Sequence, residues 1–211
     1  MYKLKLLWSK IVAFFTVVPN VFSEVVIDLE TLGTSSGCVV LSIGAVAVRP
    51  PHPGKFFGLV GAHPGEIGKT FHIVLSRDDQ RRIGMWEDPK TIDWWQEQSN
   101  AARLTLDASC CCSEPVVESL KIFNDWMEQF DFETVRVWGN GSDFDNVILS
   151  KLYATAGVRL PWKFYNNRCY RTFKGLHRHI KLNRIGVFHN ALSDAMSQAV
   201  HLLELMREQN G

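Results

Sequence analysis

Residues 24 to 30, EVVIDLE, set two carboxylates, Asp28 and Glu30, two positions apart near the end of a run of β-branched and aliphatic side chains. Such a run predicts a strand. Successive strand side chains alternate between faces, so Asp28 and Glu30 leave the same face. Two like charges buried side by side are costly unless cations neutralise them, so any fold of this chain must bring positive charge to that face. CVVLSIGAVAV (38–48) and KTFHIVLS (69–76) repeat the strand pattern with no helical pattern between them, and three strands in succession predict an antiparallel meander. The intervening RPPHPGKFFGLVGAHPGEIGK (49–69) is too rich in Pro and Gly for regular structure and reads as an insertion.

Helical signals follow. Asp88 before Pro89 opens a helix through Gln98, and Ser113, Glu114 and Pro115 open another, in which Val116, Leu120, Phe123, Met127 and their neighbours form one apolar stripe. TVRVWGN (134–140) predicts a fourth strand and DNVILSKLYATAG (145–157) a helix closed by Gly157. NRCYRTFKGLHRHI (167–180) is expected to be a helix with one basic side, and a last helix starts near Asn190.

The chain has 211 residues, 46% of them hydrophobic, enough for one domain with a substantial core. The formal net charge of +1 hides a segregation of sign. From Asn146 to Ser193 there is no Asp or Glu, while Lys151, Arg159, Lys163, Arg168, Arg171, Lys174, Arg178, Lys181 and Arg184 all fall inside. A basic, aromatic segment of this kind suits phosphates and unpaired bases. Five cysteines, three of them consecutive in a loop at 110–112, have neither zinc-site spacing nor the density of a disulfide scaffold, and are read as free thiols. Residues 1–23 are either an N-terminal extension or a signal segment, with Lys3, Lys5 and Lys10 ahead of an uncharged run. No run reaches the roughly 18 apolar residues of a membrane span. These features point to an intracellular, cytoplasmic protein, or a secreted one if residues 1–23 are cleaved.

Two more acids stand at element boundaries. Asp145 starts a helix just after the fourth strand, and Asp194 lies one turn into the final helix, five positions after His189. If that helix crosses the sheet, four carboxylates meet, and about four negative charges match two divalent cations held by hard oxygen ligands. Such a centre hydrolyses phosphodiesters and needs a base near neutral pKa, for which His189 is placed. Each residue alone has an ordinary explanation, as a solvated edge acid, a helix cap or a surface histidine. Their agreement favours the chemical one.

VVIDLETLG, WGNGSDFDNVIL and HNALSDA, in this order, resemble the three motifs of the DEDDh 3′-5′ exonucleases. WWQEQS and RCYRTFK are further similar to the exonuclease VIII-like and exoribonuclease-like branch. The resemblance spans about residues 24 to 207 and implies a ribonuclease H-like α/β domain over 24–211, with the three-strand meander continued by parallel strands and flanked by helices. It implies Asp28, Glu30, Asp145 and Asp194 as ligands of two Mg²⁺ or Mn²⁺ ions and His189 as general base. Asp143 also stands in the second motif, but Asp145 follows Phe144 in the family's Phe-Asp pairing. The implied substrate is nucleic acid with a free 3′ end, single-stranded or duplex, and relatives often form homo-oligomers. Substrate contacts are expected from Thr31, Leu32, Trp95, Asn140, Arg168 and Arg171. Of the adjacent Trp94 and Trp95, about 100° apart on a helix, one is expected at the cleft. A binding module on the same fold without turnover is the rival, and the intact acid set argues against it.

Overall fold

The computed structural model describes residues 22–51, 61–63 and 65–210. The expectation for residues 1–21, and residues 52–60 and 64 of the expected insertion, lie outside the described residues.

The first three strand signals form β1 (Glu24–Thr31), β2 (Val40–Val48) and β3 (Ile67–Val74), paired antiparallel in sequence. β4 (Arg136–Gly139) joins β1 in parallel, and β5 (Asn167–Cys169) joins β4 in parallel, giving the order β3-β2-β1-β4-β5. The mixed sheet is flanked by helices on both faces. Val25, Ile27 and Leu29 of β1 point to one face, into a core shared with helices α2 (Pro89–Gln96), α3 (Asn100–Cys111), α4 (Val116–Met127) and α5 (Asp145–Ala156). Val26 points to the other, against α6 (Tyr170–Leu176) and the long α7 (Ala191–Asn210), whose Ala195, Ala199, Leu202 and Leu203 are fully buried. By strand alternation Asp28 and Glu30 share the face of Val26, beneath α7.

Two expectations need correction. Residues 167–180 are not one helix. Asn167–Cys169 pair with Val137–Gly139, because β4 otherwise presents an unpaired edge, and α6 then runs only to Leu176. The cysteine triplet is not a loop, since Cys110 and Cys111 end α3. That helix buries only Ala102, Thr105, Leu106 and Ser109, a stripe too small and polar to show in the sequence. A short helix α1 (Arg77–Arg82) follows β3, and its buried Gln80 satisfies both backbone groups of Val40, accepting from N–H at 2.9 Å and donating to C=O at 2.7 Å.

Candidate active site

Four acids from three segments meet where β1 and β4 end. Asp28 and Glu30 arrive on β1. Asp145, 1% exposed, is the first residue of α5. Parallel pairing of β1 with β4 covers Glu24 to Val26. Farther along β1, Asp145 Oδ1 accepts from the Leu29 N–H at 3.2 Å and Oδ2 from the Asn140 N–H at 2.6 Å. The carboxylate thus ties the loop after β4 to β1. Close approach here requires Gly139, because a Cβ at that position would collide with Asn146 Oδ1 and lie 2.9 Å from the Asp145 Cβ. Asp143, by contrast, is exposed.

Asp194 comes from α7, whose first turn passes so near β2 that a Cβ on Gly44 would run into the Ala191 backbone. Asn190 caps this helix, its Oδ1 accepting from the Ser193 N–H at 3.0 Å. His189, just before the cap, holds a left-handed φ of 58°, and its N–H donates to Asp194 Oδ2 at 3.0 Å. That backbone turn aims the imidazole back over the acids. One ligand atom each from Glu30, His189 and Asp194 lie within 4.8 Å of one another. One turn beyond Asp194, Gln198 Nε2 donates to Asp28 Oδ1 at 2.7 Å.

Burial and mutual repulsion disturb these carboxyls. Burial, then the charges of Asp145, Glu30 and Asp194, raises Asp28 well above its ordinary value. Burial, then Asp194 and Asp145, pushes Glu30 up to about 8. Asp145 is raised to about 6 by burial, against the lowering by the N–H groups of Asn140 and Leu29 and the charge of Arg171. Groups so destabilised as anions, all offering hard oxygen donors at one spot, fit divalent cations.

A cleft of about 490 Å³ opens over the acids, lined among others by Thr31, Trp94, Asn140, Lys174, Arg184 and His189. That volume suits a small ligand such as a nucleotide. Thr31 lines it while donating its hydroxyl to Gly33 O at 2.7 Å, and the carbonyl of Asn140, Oδ1, is buried with no hydrogen-bond partner. The two tryptophans divide their roles. Trp95 also lines the cleft but is only 1% exposed, and its indole N–H donates to Thr31 O at 2.9 Å. Trp94 is 40% exposed and meets the His189 ring edge-on, centroids 4.8 Å apart.

Two expected contacts fall elsewhere. Leu32 has no exposed surface and packs in the core, its C=O accepting from the Asp88 N–H at 2.7 Å. Arg168 lines a separate hollow with Pro50, Arg136 and Trp138, because β5 places it on the strand rather than on a basic helix face. Arg171 does lie by the acids, close to Gly141 and acting on Asp145. Gln198, Lys90 and Arg184 were not singled out from sequence as site residues. The i, i+4 relation of Gln198 to Asp194 was the one available signal.

These features define a ribonuclease H-like fold with four carboxylates gathered at the ends of β1 and β4. The model of the family described as "3'-5' exoribonuclease Rv2179c-like domain" matches residues 23–206, and the chain belongs to that family of 3′-5′ exonucleases. It is similar to an exodeoxyribonuclease of Enterobacteria phage T4, 25% identical over 173 residues, 71% of this chain and 69% of the relative. Among solved structures it is similar to cell-death related nuclease 4 (CRN-4), with a TM-score of 0.55 and 12% identity over 90% of this chain. The match spans 65% of that structure's length. It is similar too to exonuclease X in complex with 5′ overhanging duplex DNA, with a TM-score of 0.50 and 13% identity over 89% of this chain and 99% of that one. Both likenesses bear on the fold. Among the described residues, no helix is long and apolar enough to cross a membrane.

Proposed function

We propose that this chain removes nucleotides one at a time from the 3′ end of a nucleic acid, releasing nucleoside 5′-monophosphates. The observation that carries the reading is the meeting of Asp28, Glu30 and Asp194 with His189 in one cleft, with Asp145 close enough for its charge to act on Asp28. Family membership supports it. The phage relative is an exodeoxyribonuclease and the family description names an exoribonuclease, so both DNA and RNA are proposed substrates.

In this reading the four carboxylates hold two Mg²⁺ or Mn²⁺ ions, which when bound supply activation of water and neutralisation of the leaving oxygen. His189 takes the proton from the attacking water at a ring nitrogen. The water oxygen bonds to phosphorus, the bond from phosphorus to the 3′ oxygen breaks, and that oxygen takes a proton from solvent, so the shortened strand ends in a 3′ hydroxyl while His189 returns its proton to solvent. Gln198 orients Asp28, and the Leu29 and Asn140 N–H groups fix Asp145. Trp94, Thr31 and Asn140 face the terminal nucleotide from the cleft wall, and Arg171 meets its phosphate side. Trp95 acts beneath them through Thr31. We place the domain at residues 24–211, with residues 1–23 preceding it. All five cysteines are unpaired, which fits a reducing, cytoplasmic setting.

The test is digestion of 3′-labelled single-stranded DNA, duplex DNA and RNA with and without Mn²⁺, read at nucleotide resolution. Stepwise shortening from the 3′ end, lost on Asp28→Ala with the fold retained, is the expected result. Internal cuts, or no metal-dependent cleavage of any of the three, overturn it.

A further inference from the structure

Both oxygens of Asp194 are engaged. Oδ2 accepts the His189 N–H, and Oδ1 accepts the Arg184 guanidinium, Nη1, at 2.7 Å. Among the described residues this is the single ion pair made by any of the four acids. Arg171 acts on Asp145 only through its field, and Lys174 lines the cleft wall.

Arg184 is set in residues 177–190, a segment between α6 and α7 with neither helix nor strand. Its side chain is 45% exposed and lies over the Phe188 ring, 4.6 Å from the centroid. A half-exposed ion pair is weak and easily exchanged. A guanidinium satisfies a carboxylate and a phosphate with the same planar fork of donors, and a dication competes for the same carboxylate oxygens.

We infer that Arg184 is an exchangeable counter-ion: its guanidinium holds Asp194 until a divalent cation takes that oxygen, and then turns to the phosphate of the nucleotide in the cleft. One cation therefore serves twice. It keeps the acid cluster partly neutral before loading, and it adds a donor fork to the substrate side afterwards. The inference rests on the metal-dependent nuclease reading above.

The full chain is titrated calorimetrically with MnCl₂ in the absence of nucleic acid, and then, at saturating Mn²⁺, with deoxyadenosine 5′-monophosphate. Arg184→Gln is expected to bind Mn²⁺ more tightly, on the order of tenfold, because a competing charge is gone, and to bind the nucleotide more weakly. Arg184→Lys keeps the charge without the fork and is expected to leave Mn²⁺ affinity near wild type while weakening the nucleotide. An arginine that merely braces the segment predicts the opposite sign for the metal, since its loss loosens Asp194 and His189. Unchanged or weaker Mn²⁺ binding by Arg184→Gln overturns the exchange, and unchanged nucleotide binding overturns the phosphate role. If Arg184→Gln fails to melt cooperatively, the nucleotide titration of Arg184→Lys decides: unchanged affinity overturns the proposal. Wild-type protein that takes up no Mn²⁺ overturns this inference and the functional reading together, whereas wild-type uptake with no change in Arg184→Gln leaves the functional reading standing.

Discussion

Gln198 on α7 donates an amide hydrogen bond to Asp28 on β1, Nε2 to Oδ1 at 2.7 Å, across 170 positions of sequence. The amide is 4% exposed, so this bond locks the acid's rotamer where water would not. Gln198→Leu keeps the size but removes the donor. We expect nuclease activity to fall about 10- to 100-fold through weaker metal binding, as when a ligand's outer partner is lost. Gln198→Asn, too short to reach, should behave similarly, and rates measured across a Mn²⁺ titration check it. Wild-type metal dependence in Gln198→Leu would contradict the role.

Gly139 lets α5 start against the end of β4. A methyl group at that position collides with Asn146 and crowds Asp145, so Gly139→Ala should cost about 1 to 3 kcal/mol of stability. It should also lower activity beyond the fraction unfolded, since the crowding reaches the Asp145 carboxylate that we propose holds metal. Urea melts and rates on the same samples separate the two effects.

His189 reaches the acids through a left-handed backbone turn, and a base in that position contributes roughly 10²- to 10⁴-fold. His189→Ala is expected to lose turnover in that range while retaining affinity for a 3′-ended oligonucleotide. Gel-shift titration in Ca²⁺ beside a rate measurement in Mn²⁺ tests it, and a loss confined to affinity would remove His189 from the chemistry.

Trp94, rather than its neighbour Trp95, offers an open ring to the cleft. Trp94→Ala should weaken binding of a single-stranded oligonucleotide by about 1 to 3 kcal/mol, and Trp94→Phe by less. Trp95→Ala is expected to act on stability instead, about 3 to 5 kcal/mol for a large buried ring. Equal effects of the two alanine variants on both quantities would refute the division.

Glu30 is pushed up to about 8 and Asp28 well above its ordinary range. In unfolded chain both titrate near 4, so between there and about 8 the metal-free folded state binds protons that the unfolded state has released. Stability contributed by this site must therefore fall as pH rises through that window. Melting temperature in EDTA should drop between pH 5.5 and 8, and saturating Mn²⁺ should flatten the slope by replacing the protons. A metal-free protein that grows more stable over the same interval would show that the carboxylates do not crowd one another as described.

Much of the site was legible because its residues sit at element boundaries with strong local signals. Asp28 and Glu30 alternate on a β-branched run, Asp145 follows a strand and turn, and His189 and Asp194 flank a helix start. Other elements were hidden. The α3 stripe is small and polar, and residues 167–169 carry helix-like basic spacing yet pair with β4. Backbone pairing with a distant edge leaves no local mark.

The order of strands and helices, the same-face pairing of Asp28 with Glu30 and the charge segregation after Asp145 were determined by the sequence alone, since each depends on neighbours a few positions away. Which tryptophan keeps an open ring at the cleft, that Arg168 is drawn off to β5, and that Gln198 and Arg184 seize two of the acids were decided only by tertiary structure. The engagement of Asp28 and Asp194 follows from where α7 crosses the sheet. That crossing is set by the close approach of Ala191 to Gly44, a contact between segments far apart in the chain.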